Sequence, residues 1–263
     1  MLGAIIGDVI GSPYEFGSNK SKDFPLFVKE SRPTDDSIMT IAVGCACAEA
    51  NCKDEAAFKR VLAQKMREIG LLYPNAGYGD RFYKWMIFNE TEAYGGNTNG
   101  SAMRVSPTAW AADTLEDVER LAKWSAEITH SDPEGIAGAQ SVAAAVFLAR
   151  TGASKAEIKA YIEEKYYDLN FTINQIRPYY QHNMECEKSV PQAIVCFLES
   201  TGFEDAIRNA VSLGGDCDTQ ACIAGAIAEA FYGIPDELQE EVFDYIDDTL
   251  QEYYWGYAEE LYD

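Results

Sequence analysis

Apolar residues recur at three- and four-residue intervals along most of the chain. That period predicts helices over Thr40–Ala50, Asp54–Ile69, Leu115–Ile128, Gly135–Arg150, Lys155–Tyr166, Val190–Glu199, Glu204–Val211, Thr219–Tyr232 and Asp236–Tyr254. Alternating, strand-like stretches are scarce. The punctuation agrees: Asn51, Gly70, Gly152, Gly202 and Gly233 stand at helix ends, and Pro235 follows the last of these stops. No linker or low-complexity tract marks a boundary, so residues 1–263 are expected to form a single domain. The expected class is all-α, a single compact orthogonal multi-helix bundle. Two acidic-aromatic stretches, Tyr161–Leu169 and Phe243–Asp263, read as amphipathic helices with solvated faces and receive no function.

Composition narrows the chemistry. With 47% hydrophobic residues in 263, the chain can fill a substantial core. No run approaches the roughly 18 to 20 apolar residues of a membrane span. The apolar opening Met1–Ile10 contains Asp8 and has no basic flank, so neither a membrane partner nor a signal peptide is expected. Seven scattered cysteines without a CxxC pair fit reduced thiols in a cytoplasm, with Cys45 and Cys47 as helix core. The formal net charge of -22 repels a phosphate backbone, which makes unmodified nucleic acid a poor partner. Such a chain also has carboxylates to place around a cation.

Helical proteins gather their chemistry where helices begin, because free backbone N–H groups and converging loops meet there. Pro33-Thr34-Asp35-Asp36-Ser37 precedes the apolar helix Ile38–Ala50, and Gly214-Gly215-Asp216-Cys217-Asp218-Thr219 precedes Ala221–Tyr232. Both places suit helix capping, since Thr, Asp and Ser are favoured N-caps and acids complement the helix dipole. Yet a cap needs one oxygen, and each place offers two carboxylates and a threonine hydroxyl. The surplus like charges repel unless a cation sits among them. Hard oxygen donors suit Mg²⁺ or Mn²⁺ better than zinc, so a metal site at convergent helix N-termini is expected, with a pair of ions plausible.

Two further loops break the helical pattern. Gly95-Gly96-Asn97-Thr98-Asn99-Gly100-Ser101-Ala102-Met103-Arg104 is either a plain turn or a loop that lets backbone amides approach a phosphate. In Gly7-Asp8-Val9-Ile10-Gly11-Ser12-Pro13-Tyr14-Glu15-Phe16, a short helix is stopped by Gly11 and Pro13, leaving Glu15 among turn formers and aromatics on a mobile segment.

Taken in order, these motifs resemble the ADP-ribosylglycohydrolase family, which includes the enzyme that reactivates dinitrogenase reductase and the vertebrate ADP-ribosyl-acceptor hydrolases. Gly7-Asp8 with Gly11 and Glu15, Thr34-Asp35-Asp36, Asn99-Gly100-Ser101-Ala102-Met103-Arg104, Thr129-His130 and Gly214-Gly215-Asp216-Cys217-Asp218-Thr219 follow the family's sequence of motifs. The resemblance implies that Thr34, Asp35, Asp36, Asp216, Asp218 and Thr219 bind two Mg²⁺ or Mn²⁺ ions, with Asp218 bridging. It implies that Glu15 lies on a movable flap beside the ribose, and that His130 lines the ADP-ribose pocket with Asn99, Gly100, Ser101 and Met103. Asp80 is a second catalytic candidate, because Tyr78-Gly79-Asp80 sits where some relatives carry an extra active-site acid. His182 matches nothing in the family's motifs, and the segment Tyr166–Pro191 does not align. That segment is expected to shape the face that meets the acceptor.

The activity so implied is release of ADP-ribose from an ADP-ribosylated macromolecule, a protein first of all, with arginine favoured as the linkage. Cleavage at the ribosyl carbon passes through an oxocarbenium-like transition state, which needs leaving-group protonation and an activated water. Glu15 would serve as acid and base, Tyr14 or Tyr94 would stack on adenine, and amides near Gly100 and Ser101 would hold the diphosphate. Two rival readings remain open: a catalytically inactive protein that binds ADP-ribose or metal, and a dinuclear-metal hydrolase of another substrate such as a phosphoester.

Overall fold

A computed structural model describes residues 1–17 and 19–262. Among the described residues it contains thirteen α-helices and no strand, only one isolated antiparallel bridge between Thr98 and Glu185. In chain order the helices are α1 (Leu2–Gly11), α2 (Asp35–Glu49), α3 (Glu55–Gly70), α4 (Asp80–Ile87), α5 (Leu115–Glu127), α6 (Pro133–Arg150), α7 (Lys155–Lys165), α8 (Ile173–Ile176), α9 (Cys186–Leu198), α10 (Phe203–Val211), α11 (Cys217–Tyr232), α12 (Asp236–Val242) and α13 (Asp248–Tyr262). No described helix is long and apolar enough to cross a membrane. All seven cysteines are free thiols, and Cys45 and Cys47 lie buried on α2.

Side-chain caps set several of the starts. Thr34, Asp54, Thr114 and Asp132 each accept a backbone N–H from the first turn of α2, α3, α5 and α6, and Ser154 with Glu157 forms a reciprocal capping box on α7. The predicted single helix Asp236–Tyr254 is in fact two. Asp247 accepts the Leu250 N–H at 3.0 Å, and this local cap starts α13 after a turn. Helix α4 escaped the sequence reading although Phe82, Trp85 and Met86 are buried at helical spacing. The one-turn α8 also escaped it, despite the capping box of Thr172 and Gln175. Helix α9 begins four residues before the predicted Val190 and accommodates Pro191 inside.

The helix α11 is the centre of the bundle, packed by α1, α6, α9 and α10, while α2 packs on α3 and α13. Its closest neighbour is α1. Gly3 meets Gly225, Gly7 meets Ala221 and Gly11 meets Asp218, so the two helices run antiparallel. A Cβ at Gly7 would lie 2.0 Å from the Ala221 carbonyl oxygen, and one at Gly11 would lie 2.5 Å from Asp218 Cα. Backbone therefore touches backbone along the pair, which only residues without a side chain permit. This contact carries the C-terminal end of α1 to the N-terminal end of α11, where the two predicted acidic motifs stand.

Candidate active site

The segment after α1 and the N-termini of α2, α4 and α11, with the loop before α5, the corner at His130 and the segment before α9, enclose one cleft of about 430 Å³. The backbone turns into α11 through Gly214 (φ +67°) and Gly215 (φ +78°), a conformation that side chains disfavour. Both acidic motifs begin helices a few residues earlier than the period suggested, at Asp35 and Cys217. Thr34 is thus the N-cap of α2, and Asp35, Asp36, Asp218 and Thr219 occupy first turns.

The organising residue between the motifs is Asp8, which the sequence reading did not assign. It is fully buried in the apolar α1. Its Oδ2 accepts the backbone N–H of Thr34 at 2.8 Å, that of Ser37 at 3.0 Å and the Ser37 hydroxyl, while Oδ1 accepts the Thr34 hydroxyl at 2.6 Å. One carboxylate thereby ties α1 to the start of α2. A signal was available: a charge inside a wholly apolar helix must find partners when buried.

Ligand oxygens of Asp8, Asp36 and Asp218 lie within 4.8 Å of one another, and a second group of Glu15, His182 and Asp216 meets the same limit. Burial raises the pKa of Asp36 and Asp218 well above the usual carboxylate range, and neighbouring carboxylates push them further. Asp35 is pushed up to about 8, by burial first and then by Asp8 and Asp216. Glu15, half-buried, is pushed up to about 7 by burial and by the charge of Asp216. Such crowding is costly without a counter-charge. Asp36 Oδ1 is buried without a hydrogen-bond partner, and Asp8 already spends both its oxygens on four donors. A divalent cation among these hard oxygens satisfies the orphaned atom and the surplus charge together, so the residues present fit one. Thr34 and Thr219 line the same wall. Asp216 is held by the Asn99 amide, which donates to its Oδ2 at 2.6 Å, and Asp218 Oδ1 accepts the Thr219 N–H at 2.9 Å.

The other side of the cleft carries positive and neutral groups. Arg104 is buried, with its guanidinium donating to the carbonyls of Gly100 (2.9 Å) and Ser125 (3.0 Å) and to the Thr129 hydroxyl (2.9 Å). Burial pushes it down to about 10, so it stays charged at neutral pH. It thereby fixes both the Asn99–Arg104 turn and the Thr129-His130 corner. His130 is buried and clamped between the hydroxyls of Thr129 (Nδ1, 2.8 Å) and Thr98 (Nε2, 3.0 Å). Its pKa falls well below the usual value through burial and then the charges of Arg104 and Arg81, which keeps the ring neutral.

Of the remaining predicted residues, Asn99, Gly100, Met103 and Asp80 line the cleft, Asp80 as the exposed first residue of α4. Ser101 does not. Its hydroxyl turns beneath the loop to donate to the Gly135 carbonyl at 2.7 Å, anchoring the turn on α6. Tyr94 lines the cleft, edge-on to His130 with ring centroids 5.4 Å apart. Tyr14 is turned away, donating to the Pro25 carbonyl at 2.7 Å and packing on Phe24. The unaligned segment does reach the site: His182 and Met184 line the cleft, and the Met184 carbonyl accepts the Asn99 N–H at 2.7 Å. Glu185 and Glu187 of the same segment pair with Lys188 and are not part of the lining.

Comparison with known proteins identifies the family and the fold. A family model described as ADP-ribosylglycohydrolase matches residues 1–263. The protein named ADP-ribosylhydrolase ARH3 from Homo sapiens is 27% identical over 322 residues, covering 91% of this chain and 87% of its own. A Pseudomonas putida protein named ADP-ribosylarginine hydrolase Tri1 is 26% identical over 278 residues, covering 92% of this chain and 72% of its own. A solved structure titled ADP-ribosylglycohydrolase-related protein complex superposes with a TM-score of 0.66 at 21% identity, covering 96% of this chain and 94% of that one, which establishes the all-α fold.

Proposed function

The chain belongs to the ADP-ribosylglycohydrolase family and is an ADP-ribosyl hydrolase, and from that premise we propose that it works as a single domain with divalent cations, Mg²⁺ or Mn²⁺, and favours arginine as the acceptor. The observation that carries the cation is the orphaned, fully buried Asp36 Oδ1 inside a ring of carboxylates. Thr34, Asp35, Asp36, Asp216, Asp218 and Thr219 would hold a pair of ions. Bound there, such ions supply chelation of ribose hydroxyls and acidification of a water.

The chain's own groups supply the rest of the chemistry. Glu15, half-buried in the cleft wall beside Asp216, is placed to donate a proton to the leaving group and accept one from the attacking water. Arg104 holds the Asn99–Arg104 turn in place and adds a fixed positive charge behind it, which suits the diphosphate of ADP-ribose. Neutral His130 and Tyr94 give that side a flat, weakly polar wall. Asp80 stands at the rim as a second carboxylate.

The preference for arginine rests on charge. Glu15 and Asp80 line the cleft with carboxylates outside the proposed cation ligands, and a modified guanidinium keeps its positive charge. Arg81, beside Asp80 on the rim, offsets part of that attraction. A relative is named for ADP-ribosylarginine, which points the same way. The test is a matched panel of peptides carrying ADP-ribose on arginine, serine or glutamate, together with modified nucleic acid, with kcat/KM measured at low and high salt and in excess EDTA. Full turnover in EDTA would remove the cations from the mechanism. Faster cleavage of the serine peptide at both salt levels would remove the arginine preference and leave the hydrolase assignment standing.

A further inference from the structure

The two glycines of the turn before α11 form a floor on which two other loops rest. A Cβ at Gly214 would lie 3.2 Å from the Asn19 carbonyl oxygen, and one at Gly215 would lie 3.0 Å from the backbone N and Cα of His182. Gly214 therefore supports Asn19, and Gly215 supports the segment that carries His182. The two segments are also cross-linked. The Lys20 ammonium donates to the Tyr180 carbonyl at 2.7 Å and to the Leu213 carbonyl, so one side chain ties the flap, the 180–182 segment and the floor together. The His182 imidazole lies nearly parallel to the Phe16 ring, with centroids 5.1 Å apart and planes inclined by 20°. Its Nε2 is 4.0 Å from Glu15 Oε1.

Phe16 is the residue after Glu15 and is unusual on two counts. It is 77% exposed, and its φ of +60° is in the left-handed region that side chains seldom adopt. The backbone there is a tight turn closed by the Gly17 N–H donating to the Tyr14 carbonyl at 2.9 Å, and Phe16 fills the third position, which normally takes glycine. The turn fixes the backbone, and the stack on His182 is the contact that holds its exposed ring. We propose that His182 is a positioning residue: seated on Gly215 and stacked on Phe16, it holds the flap in the conformation that keeps the Glu15 carboxylate over Asp216 and Asp218. The inference rests on the reading of Glu15 as the acid and base. It assigns a role to a histidine outside every family motif in this chain, and to the segment 180–182 as the clamp on the flap.

A positioning role has a signature that a direct chemical or purely structural role lacks. Misplacement of a catalytic group lowers kcat without weakening the binding of groups held elsewhere. His182→Ala and Phe16→Ala should each lower kcat about 10-fold, with the affinity for free ADP-ribose and the Mg²⁺-dependent rise in Tm nearly unchanged. Phe16→Ala removes an exposed ring and leaves the fold intact. His182→Phe keeps the stack and discards the ring nitrogens, so it should restore most of the lost kcat. The double variant His182→Ala with Glu15→Gln should be no slower than Glu15→Gln alone, because the clamp acts only through that carboxylate. Parental kcat in both His182→Ala and Phe16→Ala would overturn the proposal, as would multiplicative losses in the double variant. Failure of His182→Phe to restore activity would assign the effect to the imidazole nitrogens and overturn it equally. Parental kcat in Glu15→Gln alone would instead refute the reading of Glu15, an outcome distinct from all of these.

Discussion

Replacement of Asp8 separates its work as an acceptor from its work as a charge. In Asp8→Ala, four buried donors lose their partner, two of them backbone N–H groups of the α2 start. At roughly 1–1.5 kcal/mol for each bond, the loss is about 4–6 kcal/mol. That is a large share of the about 5–15 kcal/mol that holds an ordinary domain together. Asp8→Asn behaves otherwise. Its amide oxygen can replace Oδ2 and keep three of the bonds, while the NH₂ faces the Thr34 hydroxyl, which can rotate to accept. The lost charge also relieves Asp35 and Asp36, whose pKa values Asp8 raises. The net cost should be about 1–2 kcal/mol, the difference between charge-assisted and neutral bonds less the relief. Urea unfolding in EDTA measures both, and Mg²⁺ titration of Tm then reports whether Thr34 and Asp36 are still braced. The cation should stabilise Asp8→Asn and leave Asp8→Ala unaffected. Equal losses in the two variants, or a loss below about 1 kcal/mol in Asp8→Ala, would refute the assignment of Asp8 as a brace.

Other outcomes follow from the same geometry. Asp218→Ala should abolish ADP-ribose release and the stabilisation by Mg²⁺, which at about 100 times Kd is worth about 3 kcal/mol in the parent; thermal melts with and without cation check this. The raised pKa values of Asp35 (about 8) and Glu15 (about 7) mean that the folded state keeps protons the unfolded chain has released, so this contribution is intact at low pH and is lost as pH rises through the folded values. A cation that replaces those protons should therefore raise Tm more at pH 8 than at pH 6, and a flat difference between Mg²⁺ and EDTA melts over that range would contradict the shifts. Arg104→Lys keeps a charge but not the three-way fork to Gly100, Ser125 and Thr129, and should raise KM about 10-fold with a smaller change in kcat. Steady-state kinetics on one ADP-ribosylated peptide distinguishes that pattern from a general loss of fold.

What the sequence disclosed was local. Long amphipathic segments such as α3, α5 and α7 are visible because every turn repeats the same apolar stripe, and the two acidic motifs are visible because each packs its oxygens within six residues. What it concealed was pairing across the chain. Asp8 looks like an exception inside α1 until Thr34 and Ser37 come to meet it. His182 lies in a segment without a motif, and only the close approach of its backbone to Gly215 brings it beside Glu15. Ser101 fails in the opposite sense: it sits in the right loop, but the side of the turn it occupies faces Gly135 rather than the cleft. The break between α12 and α13 was hidden because apolar periodicity continues through it while a single capping aspartate, Asp247, starts the second helix afresh.

The antiparallel contact of α1 with α11 also sets when the site can exist. Asp8 and Asp36 come from the first part of the chain and Asp216 and Asp218 from its last quarter, so the closure of roughly two hundred residues must precede their meeting. Contacts of such sequence separation form late, since the entropy of closing the loop is lost before the contact returns anything. During synthesis the Thr34-Asp35-Asp36 turn therefore emerges long before its partner, as a cluster of acids with no opposing half. The proposed cation site would then be complete only once α11 has docked, and the stripe of Gly3, Gly7 and Gly11, which lies outside the cleft lining, is what admits α11 to its place.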